Sequence, residues 1–146
     1  MRYLLDTCVL AEMIKSAPDA HVIRWLRARK PHELFISSMT WGQLKRGVAK
    51  LPPSKRRSEF TLWLEELKAG FEDRVLAFDQ QASEVWAQMT VMAEAQGKSM
   101  VSFDSIIAAT ARACDCKLVT RNVRYFVHAD IDLLNPWQDH DFLNHG

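Results

Sequence analysis

The chain has 146 residues and a mass of 16.8 kDa, the size of one domain with one substantial core. Apolar residues make up 48% and charged residues 25%, which excludes a disordered chain. A net charge of +1 excludes a globally basic nucleic-acid protein, so any such binding must use a local patch.

Arg2–Leu5 is a short apolar run stopped at Asp6 and predicts a buried strand. Thr7 to about Ile14 predicts a first helix. Ala20–Arg29 predicts a second, with Val22, Ile23 and Leu26 inward. Leu34–Ser37 reads as a strand. Thr40-Trp41-Gly42-Gln43 matches a capping box before a helix to about Lys50. Pro52-Pro53 breaks the chain. Phe60, Trp63, Leu64, Leu67 and Phe71 then form one apolar stripe. Val75–Phe78 is a brief strand. Asp79 caps a helix with Ala82, Val85, Trp86, Met89 and Ala93 on its stripe, ending at Gly97. Ile106, Ile107, Thr110, Ala111 and Cys114 mark another helix, and Leu118-Val119 and Ile131–Leu134 close as strands. Short apolar strands alternating with helices imply parallel pairing, hence a three-layer α/β/α sandwich with a mainly parallel central sheet.

Three cysteines cannot all pair within the chain and show no zinc-type spacing, so they read as thiols in a reducing cytoplasm. Asp6 interrupts the N-terminus before a signal-peptide apolar region forms, and no apolar run reaches membrane-spanning length. The expected location is cytoplasmic.

In an open parallel sheet, ligands bind beyond the carboxyl ends of the strands. Asp6 ends the first strand at that edge, either as the cap of the Thr7 helix or as a metal-binding carboxylate. Asp104 stands at the mouth of the Ile106 helix with the same two readings. Two such carboxylates meeting across a cleft suit Mg²⁺ or Mn²⁺, which keep several waters and take substrate phosphate as a further ligand. Gln43 closes the capping box. Thr120-Arg121-Asn122 follows a strand, where Thr and Asn suit a phosphate, a water, a metal or a plain turn. Asp139-His140-Asp141 near the tail is a weaker metal candidate. No GxGxxG or GxSxG is present, and Gly42 and Gly47 have Walker spacing without the required Lys-Ser/Thr. A phospho-Asp site built on Asp6 wants a second Asp where Cys8 stands. Lys45, Arg46, Lys50, Lys55, Arg56 and Arg57 cluster with no acid from Leu44 to Ser58, a track suited to a phosphate backbone.

Five motifs in order cover nearly the whole chain. They are Tyr3-Leu4-Leu5-Asp6-Thr7, the stretch from Ile36 to Gly47, Phe103-Asp104-Ser105-Ile106-Ile107-Ala108-Ala109-Thr110-Ala111, Val119-Thr120-Arg121-Asn122-Val123-Arg124, and Leu134-Asn135-Pro136-Trp137. With them the sequence resembles the PIN-domain nucleases, specifically the VapC/FitB-type toxins of bacterial toxin–antitoxin pairs. The resemblance implies a single PIN-like domain over residues 1–146 and a dimeric endoribonuclease using Mg²⁺ or Mn²⁺. It also implies neutralisation by a VapB/FitA-type antitoxin whose tail enters the active site. It maps the family's first acid onto Asp6, a later acid onto Asp104, a Glu onto Gln43, and a fourth acid onto Asn122 or Tyr125. The implied metal ligands are Asp6 and Asp104; with no acid at the fourth position, Asp130 or Asp132 would have to lean in to replace it. Thr7, Thr120, Lys45, Arg46, Arg56 and Arg57 are the implied phosphate or RNA contacts. The alternative is a catalytically impaired PIN domain, with Gln43 and Asn122/Tyr125 replacing acids, that binds antitoxin or RNA without cleaving.

Overall fold

The computed structural model describes residues 1–138, so Asp139, His140 and Asp141 lie outside the described residues. Five strands form one sheet: β1 (Tyr3–Leu5), β2 (Leu34–Ser37), β3 (Val75–Leu76), β4 (Lys117–Val119) and β5 (Leu133–Leu134). Their spatial order is β3-β2-β1-β4-β5 and every pairing is parallel. The chain therefore winds outward from β1 in one direction and then returns to build the other half. The reversal falls between β1 and β4, where Leu5 lies beside Val119.

Six helices cover the two faces: α1 (Thr7–Met13), α2 (Ala20–Arg27), α3 (Ser38–Ala49), α4 (Lys55–Phe71), α5 (Gln80–Ala95) and α6 (Ser102–Ala113). Strand alternation sends Tyr3 and Leu5 to one face and Leu4 to the other. On the first face Tyr3, Leu5, Ile36 and Val119 pack with Val9 and Leu10 of α1, Val22 and Trp25 of α2, and Leu67 and Phe71 of α4. On the second, Leu4 and Leu118 pack with Met89 of α5 and Ile107, Ala108, Ala109 and Ala111 of α6. Two apolar layers on opposite faces of one parallel sheet make the expected three-layer sandwich. Gly97 takes φ +71 after α5, the left-handed conformation that stops a helix and that glycine adopts without a Cβ penalty.

One local reading is corrected. The helix that follows β2 starts two residues before Thr40, and its cap is Ser37, the last residue of the strand. The Ser37 Oγ accepts from the Thr40 N–H at 2.9 Å and donates to the Thr40 Oγ1 at 3.0 Å. Thr40 is thus buried inside the first turn, and Gln43 lies in the second turn rather than closing a capping box. Both partners are buried, so Ser37→Ala leaves an unsatisfied N–H and hydroxyl. We expect a loss of about 1–2 kcal/mol in denaturant unfolding; a change under about 0.3 kcal/mol contradicts this cap.

Candidate active site

The last residue of the β1 ladder is held by its neighbour: the Asp6 N–H donates to the Val119 carbonyl at 3.0 Å. The backbone then turns at once into α1, and the Asp6 side chain caps it, with Oδ1 accepting from the Thr7 N–H at 2.8 Å. The second oxygen, Oδ2, accepts from the Thr120 Oγ1 at 2.8 Å across the β1–β4 seam. Thr120 is fully buried, and its hydroxyl also accepts from the Asn122 N–H at 3.1 Å. Asp6 is only 7% exposed. Burial raises its pKa above the usual carboxylate value, against the lowering effect of the Thr120 and Thr7 bonds. The cap and the candidate ligand are therefore one residue. The cap uses one oxygen, and a hydroxyl orients the other.

Asp104 occupies the first turn of α6, where its charge suits the helix dipole. It is not the cap. Val101 holds that position with no side-chain bond, and the Asp104 carboxylate has no hydrogen-bond partner among the described residues. Burial raises its pKa, and the charge of Asp6 raises it further. The Asp6 charge is thus felt at Asp104, although 98 positions separate them in sequence. No basic group figures in the shift of either acid. The site holds two negative charges without an internal counter-ion.

Gln43 joins the same constellation from α3. Its Oε1 accepts from the Thr7 Oγ1 at 2.9 Å, and Thr7 is the residue whose N–H meets Asp6. Asn122 is exposed and reaches the site through its backbone bond to Thr120. Lys45 and Arg46 are exposed on α3 just past Gln43, while Arg56 and Arg57 lie in the first turn of α4. Arg56 shares a groove with Ala11, Ile14 and Lys15, at the far end of α1 from Asp6, about 10 Å along the helix axis.

Sequence reading treats Cys8 as an idle thiol, but the structure puts it inside the site. Its Sγ stands 3.6 Å from the Thr120 Oγ1 and 4.0 Å from the Asp6 Oδ2, and accepts from the Arg121 N–H at 3.4 Å. Burial above all, and the Asp6 charge as well, pushes this thiol up, so it stays protonated at neutral pH. Its spacing two residues after Asp6 is the only sequence trace of the role.

These donors suit one hard divalent cation. Two uncompensated carboxylates, with hydroxyl and amide oxygens beside them, leave room for waters and a substrate phosphate. Among the described residues no group of three or more His, Cys, Asp or Glu side chains is gathered in metal-holding geometry, so any ion here would rest on two carboxylates with water and substrate oxygens. An acidic centre at the switch point of a doubly wound parallel sheet marks the chain as an α/β domain with its candidate site at the carboxyl edge of the strands.

The particular family follows from comparison. Residues 3–131 match the PIN domain, and the chain belongs to that family. It is 38% identical to the VapC ribonuclease Y4jK of Sinorhizobium fredii, over 92% of this chain and 97% of that protein. It is 33% identical to the toxin FitB of Neisseria gonorrhoeae, over 93% of this chain and 99% of that toxin. The structure of FitAB bound to the IR36 DNA fragment superposes with a TM-score of 0.89 at 31% identity, covering 93% of this chain and 96% of that one.

Proposed function

We propose that the protein is the toxin of a two-component toxin–antitoxin system and acts as a divalent-metal-dependent endoribonuclease. The observation that carries this is the buried Asp6 carboxylate, oriented by Thr7 and Thr120 at the carboxyl edge of a PIN fold, with its charge felt at Asp104. Similarity to a VapC ribonuclease and to the toxin FitB over nearly the full length supports the same reading.

Asp6 and Asp104 would hold Mg²⁺ or Mn²⁺. When bound, the ion supplies Lewis acidity toward a phosphate oxygen and a lowered pKa for water. The protein residues do the rest. Thr120 fixes the Asp6 carboxylate by donating to Oδ2, and the Thr7 N–H fixes Oδ1. Gln43 holds the Thr7 hydroxyl. The Cys8 thiol and the Thr120 hydroxyl tie the loop after β4 to the start of α1. Asn122 lies on that loop as a polar group for the substrate.

The substrate runs along the basic face of α3 and α4. Lys55, Arg56 and Arg57 stand in the first turn of α4, where the helix dipole disfavours cations by about 0.3–1 kcal/mol each. Among the described residues, only Lys55 of the three pairs with an acid, Glu59 at 3.9 Å. Cations kept against the dipole suit an anionic ligand. Reversing Arg56 and Arg57 to Glu should weaken RNA binding at least tenfold at low salt. The slope of log affinity against log salt should fall by about one to two, at roughly 0.7 per phosphate contact on a single strand. Unchanged affinity would leave this face as solvated surface.

The partner is an antitoxin of VapB/FitA type. A groove of about 610 Å³ between α3 and α4, beside Trp41, Ala69 and Val75 and edged by Glu65, Lys68 and Glu72, offers a seat for it. Homodimer assembly has exposed apolar surface available at Val91 and Met92 of α5 and Phe103 of α6. No helix among the described residues is long and apolar enough to cross a membrane, in keeping with a cytoplasmic toxin. The decisive assay incubates the protein with single-stranded RNA, with Mn²⁺, with Mg²⁺ and with chelator. Cleavage with a metal and none with chelator is the expected result. RNA binding without cleavage under all three conditions would instead establish the impaired-domain reading, which Gln43 motivates.

A further inference from the structure

Just past Thr120, the chain exposes a planar cation on an aromatic ring. The Arg121 guanidinium carbon stands 5.3 Å from the centre of the Trp137 ring. Both ends of this pair are fixed. The Arg121 N–H donates to the Cys8 Sγ, which itself lies 4.0 Å from the Asp6 Oδ2. Trp137 packs on the apolar layer that includes Leu134, and its N–H donates at 2.9 Å to the Oδ1 of the buried Asn135. Arg121 is exposed, and its guanidinium has neither an acidic partner nor a hydrogen bond among the described residues.

We propose that the Arg121–Trp137 pair is a base-stacking subsite for single-stranded RNA beside the Asp6 pocket. This rests on the ribonuclease reading and specifies how that site takes its substrate. An unpaired base has a free π-face, and arginine planes and aromatic rings are the surfaces that receive it. A guanidinium held 5.3 Å from an indole centre is a planar cation next to an aromatic face, so a base can stack on the pair with little loss of order. Bases in a duplex are already stacked and are not available.

Other cation–aromatic pairs fit this role less well. Lys45 over Trp41 presents a point charge without a plane. Arg56 over Phe60 sits at the far end of α1 from Asp6. Arg124 over Tyr125, on the short 3-10 turn that follows Asn122, is bonded to neither Asp6 nor Cys8. The subsite at Arg121 is the one tied to Asp6 through a single intervening side chain. A phosphate contact needs only charge at residue 121, whereas stacking needs the plane. Lysine separates the two.

The test uses short single-stranded RNAs carrying 2-aminopurine at successive positions, whose fluorescence falls when the base stacks. They are titrated into Asp6→Asn protein, chosen to leave the strand uncut, with and without Arg121→Lys. We expect quenching at one position. Arg121→Lys should abolish it and weaken Kd by about fivefold to a hundredfold, the range for losing one stacked base, with the salt slope unchanged. Equal quenching and affinity in the Arg121→Lys protein overturn the proposal in favour of a phosphate contact. If the parent chain cleaves RNA with Mn²⁺ but no position is quenched, the ribonuclease reading stands and the subsite falls. If the chain neither cuts nor binds single-stranded RNA, both fall.

Discussion

Asp6→Asn should abolish metal-dependent RNA cleavage, by about a thousandfold or more, without unfolding the protein. The loss follows from geometry. Oδ1 is oriented by the Thr7 N–H and Oδ2 by the Thr120 hydroxyl and the Cys8 thiol, and the substitution removes the charge from the most buried acid of the site. The stability argument is separate. Burial raises the pKa of Asp6, and burial plus Asp6 raises that of Asp104, so at neutral pH the metal-free site holds charge that the fold disfavours. An amide at position 6 relieves this, and its oxygen can still accept from the Thr7 N–H. Melting at neutral pH in chelator should therefore be unchanged or slightly higher. A loss above about 1 kcal/mol would mean that capping α1 is the dominant role of Asp6.

The pH dependence has a definite sign. An acid whose folded pKa lies above its unfolded value binds its proton more readily when folded, so its contribution to stability grows as pH falls. For Asp6 and Asp104 that gain begins near their raised folded values and is complete below the usual carboxylate value. Glu12 works in the opposite direction. The Lys15 ammonium and the Asp19 N–H lower its pKa, so its contribution is present at neutral pH and is lost on acidification. The useful comparison is thus between variants. The stability advantage of Asp6→Asn over the parent chain should shrink as pH drops through the raised range. An advantage independent of pH would mean that Asp6 carries no unfavourable charge at neutrality.

Much of this site was legible in the sequence because strand ends are legible. The apolar run Tyr3–Leu5 stops at an acid, Leu118-Val119 stops at Thr120, and parallel pairing brings both ends to one edge. What the sequence obscures is which oxygen caps which helix. Ser37 and Thr40 are both competent caps three residues apart. The straight passage from β2 into α3 selects Ser37, and Thr40 becomes its buried partner. Asp104 resembles a cap, yet α6 begins one turn earlier at Val101. Cys8 looks like core filler, since its neighbours Thr120 and Arg121 are more than a hundred residues away and meet it only through the β1–β4 register.

Gln43→Glu should convert the site into a stronger metal binder at a cost to the metal-free fold. The capping-box explanation of Gln43 is removed by the Ser37 cap. What remains is its amide oxygen on the Thr7 hydroxyl, one residue from Asp6. A glutamate can keep that bond through one oxygen and adds a third negative charge near Asp6, whose charge already raises the pKa of Asp104. In chelator, the variant should melt lower than the parent chain, and at least one carboxylate pKa should rise further. A cation that binds only the folded state stabilises by mass action, about 2.7 kcal/mol at a hundredfold excess over Kd. Tighter binding should therefore make the Mn²⁺-induced shift in melting temperature larger for Gln43→Glu than for the parent. Cleavage with Mn²⁺ should rise in parallel, because a full carboxylate replaces an amide dipole beside the ion. The decisive measurement is four melts, parent and variant, each with chelator and with Mn²⁺. Equal metal-induced shifts would show that residue 43 does not sense the cation, and its role would then be limited to holding the Thr7 hydroxyl.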